Sequence, residues 1–516
     1  MPIPVVSSAC AFAWAKPTVT DPATGDMTDP FAARPWARRL CLVGLGLALS
    51  LGQAPTHLWW VALPVLAIWL FLTRFVVSGK AAFGAGFWFG IGYFALSLRW
   101  IVSPFMVDPA RDGWMAPFAI VLLSAGLALL WGLAGLLALK LGRGRALAFA
   151  LWLTAAEVMR SLVLTGFPWA LIGHIWIDTP IAQLAAFIGP HGLTVLAVCM
   201  AWCLMVGVTA SRWALAGPVL ASVAAFWLAP GPIPAPAPDA TTIRLVQPNA
   251  PQDEKWDVAM RDVFFERMLD YSAATPRPDL IVWPETAVQD LLEWADPSLQ
   301  AMSDAAQGVP LVTGINRRPN LRYFNALVVL GQDGAIDAIY DKAHLVPFGE
   351  YFPGGELAAR WGLHGFAASE GQAFSTGGDQ PLLDLPGIGS ARALICYEGI
   401  FAEEIVIGDR PRLLLLITND AWFGRGAGPA QHLAQARLRA IEQGLPMVRV
   451  ANTGISAMID ARGRLTGVIP LGQADYLDAA LPPTLDPTLY ARLGDMPLLL
   501  VLTLALLGLV IPRRAA

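Results

Sequence analysis

Apolar runs fill the first half of this chain and return once near its end, each close to the length needed to cross the ~30 Å hydrocarbon core of a bilayer. They lie at 37–54, 57–73, 82–102, 115–139, 145–164, 191–209, 212–229 and 496–511. Eight such runs do not fit inside a soluble core, so the sequence predicts a multi-span α-helical membrane domain of about eight transmembrane helices. Composition agrees. Hydrophobic residues make up 56% and charged ones 14%, against roughly 25% charged in an ordinary soluble domain, and mean hydropathy is +0.54. The first two runs and the last are short, so their ends are loosely defined.

Loop charges set an orientation. Arg34, Arg38, Arg39, Arg74, Lys80, Lys140, Arg143, Arg145, Arg212, Arg513 and Arg514 fall on one side, and the opposite short loops carry only Arg99, Arg111 and Arg160. Both termini are therefore expected in the cytoplasm. Residues 1–36 lack periodicity and read as an unstructured cytoplasmic extension, a poor signal peptide, with Met27 as an alternative start. After seven spans over 37–229, the Pro-rich stretch 230–239 reads as a stiff linker. It leads to a region of soluble character, 240–493, outside the cytoplasm. The last span and a short basic tail occupy 494–516. A net charge of −4 gives no reason to expect nucleic acid.

Within 240–493, strand-like runs (243–246, 280–283, 310–313, 325–330, 336–339, 393–395, 413–417, 447–450) alternate with amphipathic ones (258–271, 297–307, 429–443), which implies an α/β layer architecture. Of the five cysteines, Cys41, Cys199 and Cys203 lie in apolar runs and read as small hydrophobes. Cys10 lies in the extension, where Ser7-Ser-Ala-Cys10 lacks the leucine of a lipoprotein cleavage box. Cys396 alone lies in the polar half. Leu280-Ile-Val-Trp-Pro-Glu285, Tyr340-Asp-Lys-Ala-His344 and Ala393-Leu-Ile-Cys-Tyr-Glu398 each place a reactive side chain after a strand-like run, where α/β enzymes keep their chemistry. A thiol needs a base or a cation to become a nucleophile; Glu285 offers the first and Lys342 the second. Each has a plain alternative: Glu285 a solvated turn residue, Lys342 a surface partner of Asp341, Cys396 a core thiol.

The words around these residues go further. Trp283-Pro-Glu-Thr-Ala287, Tyr340-Asp-Lys-Ala-His-Leu-Val-Pro-Phe-Gly-Glu-Tyr351, Cys396-Tyr-Glu398 and Asn419-Asp-Ala-Trp-Phe-Gly424 resemble the nitrilase/amidase superfamily, and within it the membrane-embedded apolipoprotein N-acyltransferases. Arg437-Leu-Arg-Ala-Ile-Glu442, Ala451-Asn-Thr-Gly-Ile-Ser456 and Gly166-Phe-Pro-Trp169 extend the likeness to about 37–511, while Gly444-Leu-Pro446 departs from an expected Gly-Arg-Pro. The resemblance implies an extracytoplasmic nitrilase-like α-β-β-α sandwich. It implies Glu285 as general base, Lys342 as oxyanion stabiliser and Cys396 as nucleophile. Glu350, on a loop near Pro347–Tyr351 able to close, and Glu398 would lie at the site, with Tyr397 beside the nucleophile and Trp256 at the entrance. His344, Asn419, Asp420 and His432 are expected to hold loops. His174 and His191 read as interfacial residues.

The implied reaction is ping-pong and needs no cofactor or metal. Cys396 takes the sn-1 acyl chain of a phospholipid, expected to be phosphatidylethanolamine, as a thioester. The α-amine of the S-diacylglyceryl cysteine of an apolipoprotein then receives it as an amide. A membrane half suits substrates carrying long acyl chains, each worth about 0.8 kcal/mol per buried CH₂ in the bilayer. Aromatic clusters at Phe87-Trp-Phe89, Trp100 and Phe167-Pro-Trp169 suit an interfacial mouth or an ordinary aromatic belt. The expected setting is a bacterial inner membrane with the catalytic domain in the periplasm, working as a monomer. A membrane-anchored carbon-nitrogen hydrolase (amidase) would use the same three residues with water as acceptor, but eight spans exceed what a tether needs. A scaffold with a degenerate site would have lost one of the three. A transporter would carry more charge in its spans than Glu157 and Arg160, which stand at i, i+3 and suit a mutual pair.

Overall fold

The computed structural model describes residues 34–141, 145–228, 237, 240–355, 373–378, 381–405 and 409–510. Cys10, Met27 and nearly all of the expected linker lie outside them. Every apolar run forms a helix: Pro35–Ser50, Trp59–Thr73, Gly79–Ser97, Ala116–Leu141, Arg145–Leu162, Ala185–Thr209, Ala216–Leu228 and Met496–Val510. Length separates them. Among the described residues, only Pro109–Leu141 and Pro180–Thr209 are long and apolar enough to cross a membrane, or three if Gly79–Ser97 and the 3-10 turn Arg99–Met106, bent by 47°, count as one span. The remainder are too short on their own, or, like Arg145–Leu162, carry buried charge.

Small residues let these helices touch backbone to backbone, as membrane packing favours. A Cβ on Gly46 would collide with the Phe89 carbonyl oxygen, and one on Gly92 with that of Val43, so Pro35–Ser50 and Gly79–Ser97 meet at glycine on both sides. The outer surface stays greasy. Phe118, Val121 and Leu122 on one helix and Leu500, Val501 and Leu504 on the last are exposed, large apolar side chains clustered on outward helix faces that a soluble protein would cover.

The second half is two sheets packed face to face between helices. One sheet contains β1 (Thr242–Gln247), β2 (Leu280–Val282), β3 (Val288–Leu291), β4 (Leu311–Arg317), β5 (Phe324–Leu330) and β6 (Ile336–Asp341), with β13 (Asp475–Ala480) beside β1, in the order β13-β1-β2-β4-β5-β6 and β3 against β4. The other runs β12-β11-β10-β9-β8-β7, from Leu465–Ile469, Ser456–Ile459, Met447–Ala451, Leu413–Thr418, Gly389–Ile395 and Leu383–Leu385 respectively.

Period-two alternation builds the sandwich. Leu413, Leu415 and Ile417 of β9 join Ile243, Leu245, Leu280 and Val282 in the layer between the sheets. Leu414 and Leu416 turn the other way, against Leu433, Ala436 and Ala440 of the helix Ala427–Gln443. On the far side Val246 and Ile281 meet Met268, Leu299 and Met302, from the helices Val258–Ala273 and Asp296–Ala306. The layering is α-β-β-α. Strands β1, β2 and β4 run parallel, β6 lies two antiparallel steps from β4, and β8, β9 and β10 run parallel in the other sheet. The carboxyl ends of β2, β6, β8 and β9 deliver the residues of the site.

Candidate active site

Three strand ends converge on one buried spot. Glu285 follows β2 across Trp283-Pro284, Lys342 follows β6 directly, and Cys396 follows β8. All three are buried. The Lys342 ammonium donates to Glu350 Oε1 at 2.9 Å and stands 3.9 Å from Glu285 Oε1. Asp341 is occupied elsewhere, in an ion pair with Arg317, which removes the surface-pair alternative for Lys342. Asn325 Nδ2 donates to Glu285 Oε1 at 2.7 Å and to Glu350 Oε1 at 3.2 Å, and the Asn419 amide donates to Glu285 Oε2 at 2.7 Å. The two carboxylates thus share one cation and one carboxamide, and each takes a main-chain amide besides, Glu350 that of Val346 at 2.8 Å.

Cys396 adopts φ +52°, a left-handed conformation that costs a non-glycine residue about 1–2 kcal/mol. It opens the turn Cys396–Ile400 straight off β8. Burial pushes the Cys396 thiol well up, the Glu285 carboxylate adds to the rise and Lys342 pulls against it. A thiol proton must leave as the sulfur attacks, so a base has to stand by. Burial alone would depress the Lys342 ammonium, but Glu350 and Glu285 together hold it up.

Glu398 does a different job from its neighbour. It accepts from the Tyr340 hydroxyl at 2.8 Å, from the amides of Ala343 and His344 at 2.8 and 3.1 Å, and from the Ile395 amide at 2.7 Å. Four donors consume its lone pairs, so Glu398 ties the chain after Lys342 to the strand before Cys396. His344 pairs with Glu404 at 2.7 Å and stacks on Phe401. Under Cys396, His432 Nε2 lies 3.2 Å from the Cys396 carbonyl oxygen and Nδ1 lies 2.9 Å from Asp420 Oδ1, while Asp420 also pairs with Arg449 at 2.6 Å. Burial alone would raise the Asp420 carboxyl, but Arg449 and His432 hold it well below the usual carboxylate range.

That depression fixes the sign of an acid response. The stabilisation from Asp420 is fully present above the ordinary aspartate value of about 3.9 and is lost as pH falls through the lower folded value. We expect Asp420→Asn to cost about 3–5 kcal/mol at neutral pH by leaving Arg449 without its counter-charge. Thermal unfolding of the full chain in detergent, followed from pH 7 to pH 3, should show the wild type losing its advantage over the variant only below about pH 4. A gap that is constant across that range would contradict the assignment.

The helical half reaches into this region. The Tyr397 hydroxyl donates to the Gly166 carbonyl at 3.2 Å, Trp169 Nε1 donates to Gln431 Oε1 at 2.7 Å, and the Trp169 ring stacks on His432 at 5.6 Å. Arg160 holds that loop by donating to the carbonyls of Phe167, Trp169 and Ala170, and its charge is met by Glu157 at 2.7 Å. The i, i+3 pair read from the sequence is present and anchors the segment that packs near Cys396.

Residues 45–203 match the model for the apolipoprotein N-acyltransferase N-terminal domain, and 242–488 match that for carbon-nitrogen hydrolases. An apolipoprotein N-acyltransferase of Rhodopseudomonas palustris is 37% identical over 514 residues, covering 93% of this chain and 96% of that protein. The chain belongs to the apolipoprotein N-acyltransferase family. A member from Bradyrhizobium diazoefficiens is likewise 37% identical, with 93% and 96% covered, and one from Sinorhizobium fredii is 40% identical over 77% of this chain and 79% of its own.

For this family member, the sequence reading brought Glu285, Lys342, Cys396, Glu350, Tyr397 and Glu398 to one locus, and the structure places them there together. Trp256 stands at its edge, 49% exposed. His174 and His191, read as interfacial, are instead buried. His191 bridges Asp495 at 2.9 Å and Ser161 at 3.0 Å, because the C-terminal helix docks on the helical half at that point. One residue was missed altogether. Lys255 is buried beside Glu285, and nothing in a lone lysine of a polar loop signals that.

Proposed function

We propose that this protein moves an acyl chain from a phospholipid to the α-amine of the S-diacylglyceryl cysteine of apolipoproteins, through a thioester on Cys396. The observation that carries this reading is the buried set of thiol, ammonium and paired carboxylates, in contact with a helical half that presents an apolar exterior. Glu285 accepts the thiol proton as the sulfur attacks the ester carbonyl, forming the S–C bond. Lys342 faces the developing oxyanion, a type of contact worth about 3–4 kcal/mol. Collapse breaks the C–O bond, and Glu285 returns the proton to the departing glycerol oxygen, releasing a lysophospholipid. In the second half the lipoprotein amine attacks the thioester, Glu285 takes its proton, the N–C bond forms and the thiol is restored as the S–C bond breaks.

Phosphatidylethanolamine is the donor we propose, with catalysis on the periplasmic face of a bacterial inner membrane, eight spans, both termini in the cytoplasm and a monomeric enzyme. The proposed parts are an extension over 1–36, a membrane domain over 37–229, a linker over 230–239, a catalytic domain over 240–493 and a closing span over 494–516. The loop Pro347–Tyr351, which carries Glu350, would move aside for substrate and close to keep water from the thioester.

Intact mass of the purified protein after incubation with phosphatidylethanolamine tests the reading. A hydroxylamine-labile gain of one acyl chain, discharged by a diacylglyceryl peptide, is the expected result. The match to carbon-nitrogen hydrolases favours one alternative, an amidase, and discharge to free fatty acid without transfer would establish it in place of the transferase.

A further inference from the structure

Among the described residues, Lys255 is the one lysine besides Lys342 in contact with the site. Its side chain is 3% exposed, and its ammonium makes a single described hydrogen bond, to the main-chain carbonyl of Glu285 at 3.3 Å. The Trp256 ring covers it at 5.8 Å. Around it the chain is hydrogen-bonded. The Lys255 amide donates to Pro251 at 2.7 Å, Gln289 donates to the Lys255 carbonyl, and Gln252 accepts from Asn419, whose amide holds Glu285. An ammonium in such a place loses much of its hydration and recovers little of it from one long bond. Burial lowers its proton affinity to about 8, the Glu285 charge holding it up in part.

A buried cation with donors to spare, one residue from a half-exposed indole and against the backbone of the general base, fits an anion that arrives with substrate. The two substrates of the proposed reaction differ in that respect. The donor lipid carries a phosphodiester one glycerol unit away from its sn-1 ester. The acceptor carries a neutral thioether glyceride and an amine. We propose that Lys255 recognises the phosphodiester of the acyl donor and is the specificity-determining residue of the first half-reaction. The inference rests on the acyltransferase reading above. It assigns Lys255 to donor selection and leaves the acceptor step to other groups.

The test compares phosphatidylethanolamine with diacylglycerol of the same chains, presented to the full-length protein in the same detergent micelles, with thioester formation read by intact mass. The wild type should acylate from the phospholipid about 10- to 100-fold more efficiently, the range of one charge-assisted hydrogen bond of about 1.5–3 kcal/mol. Lys255→Met should remove most of that preference through the apparent KM, Lys255→Arg should restore part of it, and discharge of a preformed thioester by a diacylglyceryl peptide should keep its rate. Equal use of both donors by the wild type would overturn the proposal without any variant. A Lys255→Met protein that loses both donors alike, or discharges slowly, would overturn it too, placing Lys255 behind Glu285 as a support. No thioester from either ester would instead sink the acyltransferase reading itself.

Discussion

Cys396→Ala should abolish the labile acyl adduct and lower turnover by on the order of 10⁶-fold, the scale seen when a covalent catalyst loses its nucleophile. The fold should survive. The side chain is small, and removing one buried heavy atom costs on the order of 1 kcal/mol. The backbone at φ +52° is equally unwelcoming to alanine and cysteine, so that term cancels. Mass spectrometry of the variant with lipid, beside a thermal midpoint within a few degrees of wild type, checks both halves of the expectation. An acyl adduct that persists on the alanine variant would place the nucleophile elsewhere.

Lys342→Met carries the second large effect, and here rate and stability fall together. The ammonium is the only cation within salt-bridge distance of Glu285 and Glu350 among the described residues. Removing it leaves two buried carboxylates facing each other, a loss of about 3–5 kcal/mol, and deprives the oxyanion of its partner, about 10²–10³ in rate. A double variant separates the two. Lys342→Met with Glu350→Gln removes the surplus charge while Asn325 and the Asn419 amide still hold Glu285. It should regain most of the stability and none of the turnover. Recovery of activity along with stability would show that Lys342 serves the fold alone.

The sequence carried the site further than it carried the membrane half. Glu285, Lys342 and Cys396 were legible because each follows a short apolar run, and strand ends are where such side chains can be exposed to substrate. The eight helices were legible as apolar runs, but not their lengths. Those are set by packing, such as the glycine contacts between Pro35–Ser50 and Gly79–Ser97, and by the bend at Leu98. β13 reads Asp475-Tyr-Leu-Asp-Ala-Ala480, too polar to announce a strand, and is held by its pairing with β1. Glu398 was placed at the site by motif, yet its four donors come from two stretches far apart in sequence, and only the fold shows that it is saturated. Lys255 left no trace because burial of a lone lysine is a tertiary fact.

The loop Gly166–Ala170 bears on how such proteins can be recombined. Its carbonyls are gripped from behind by Arg160, while its front face supports Tyr397 and His432, the second of which contacts the nucleophile's own main chain. A chimera that takes its helices from one parent and its sandwich from another must therefore inherit residues 157–170 and 396–432 as a single matched block. Grafts cut at the obvious boundary near residue 240 would join two sound halves and still misplace the thiol.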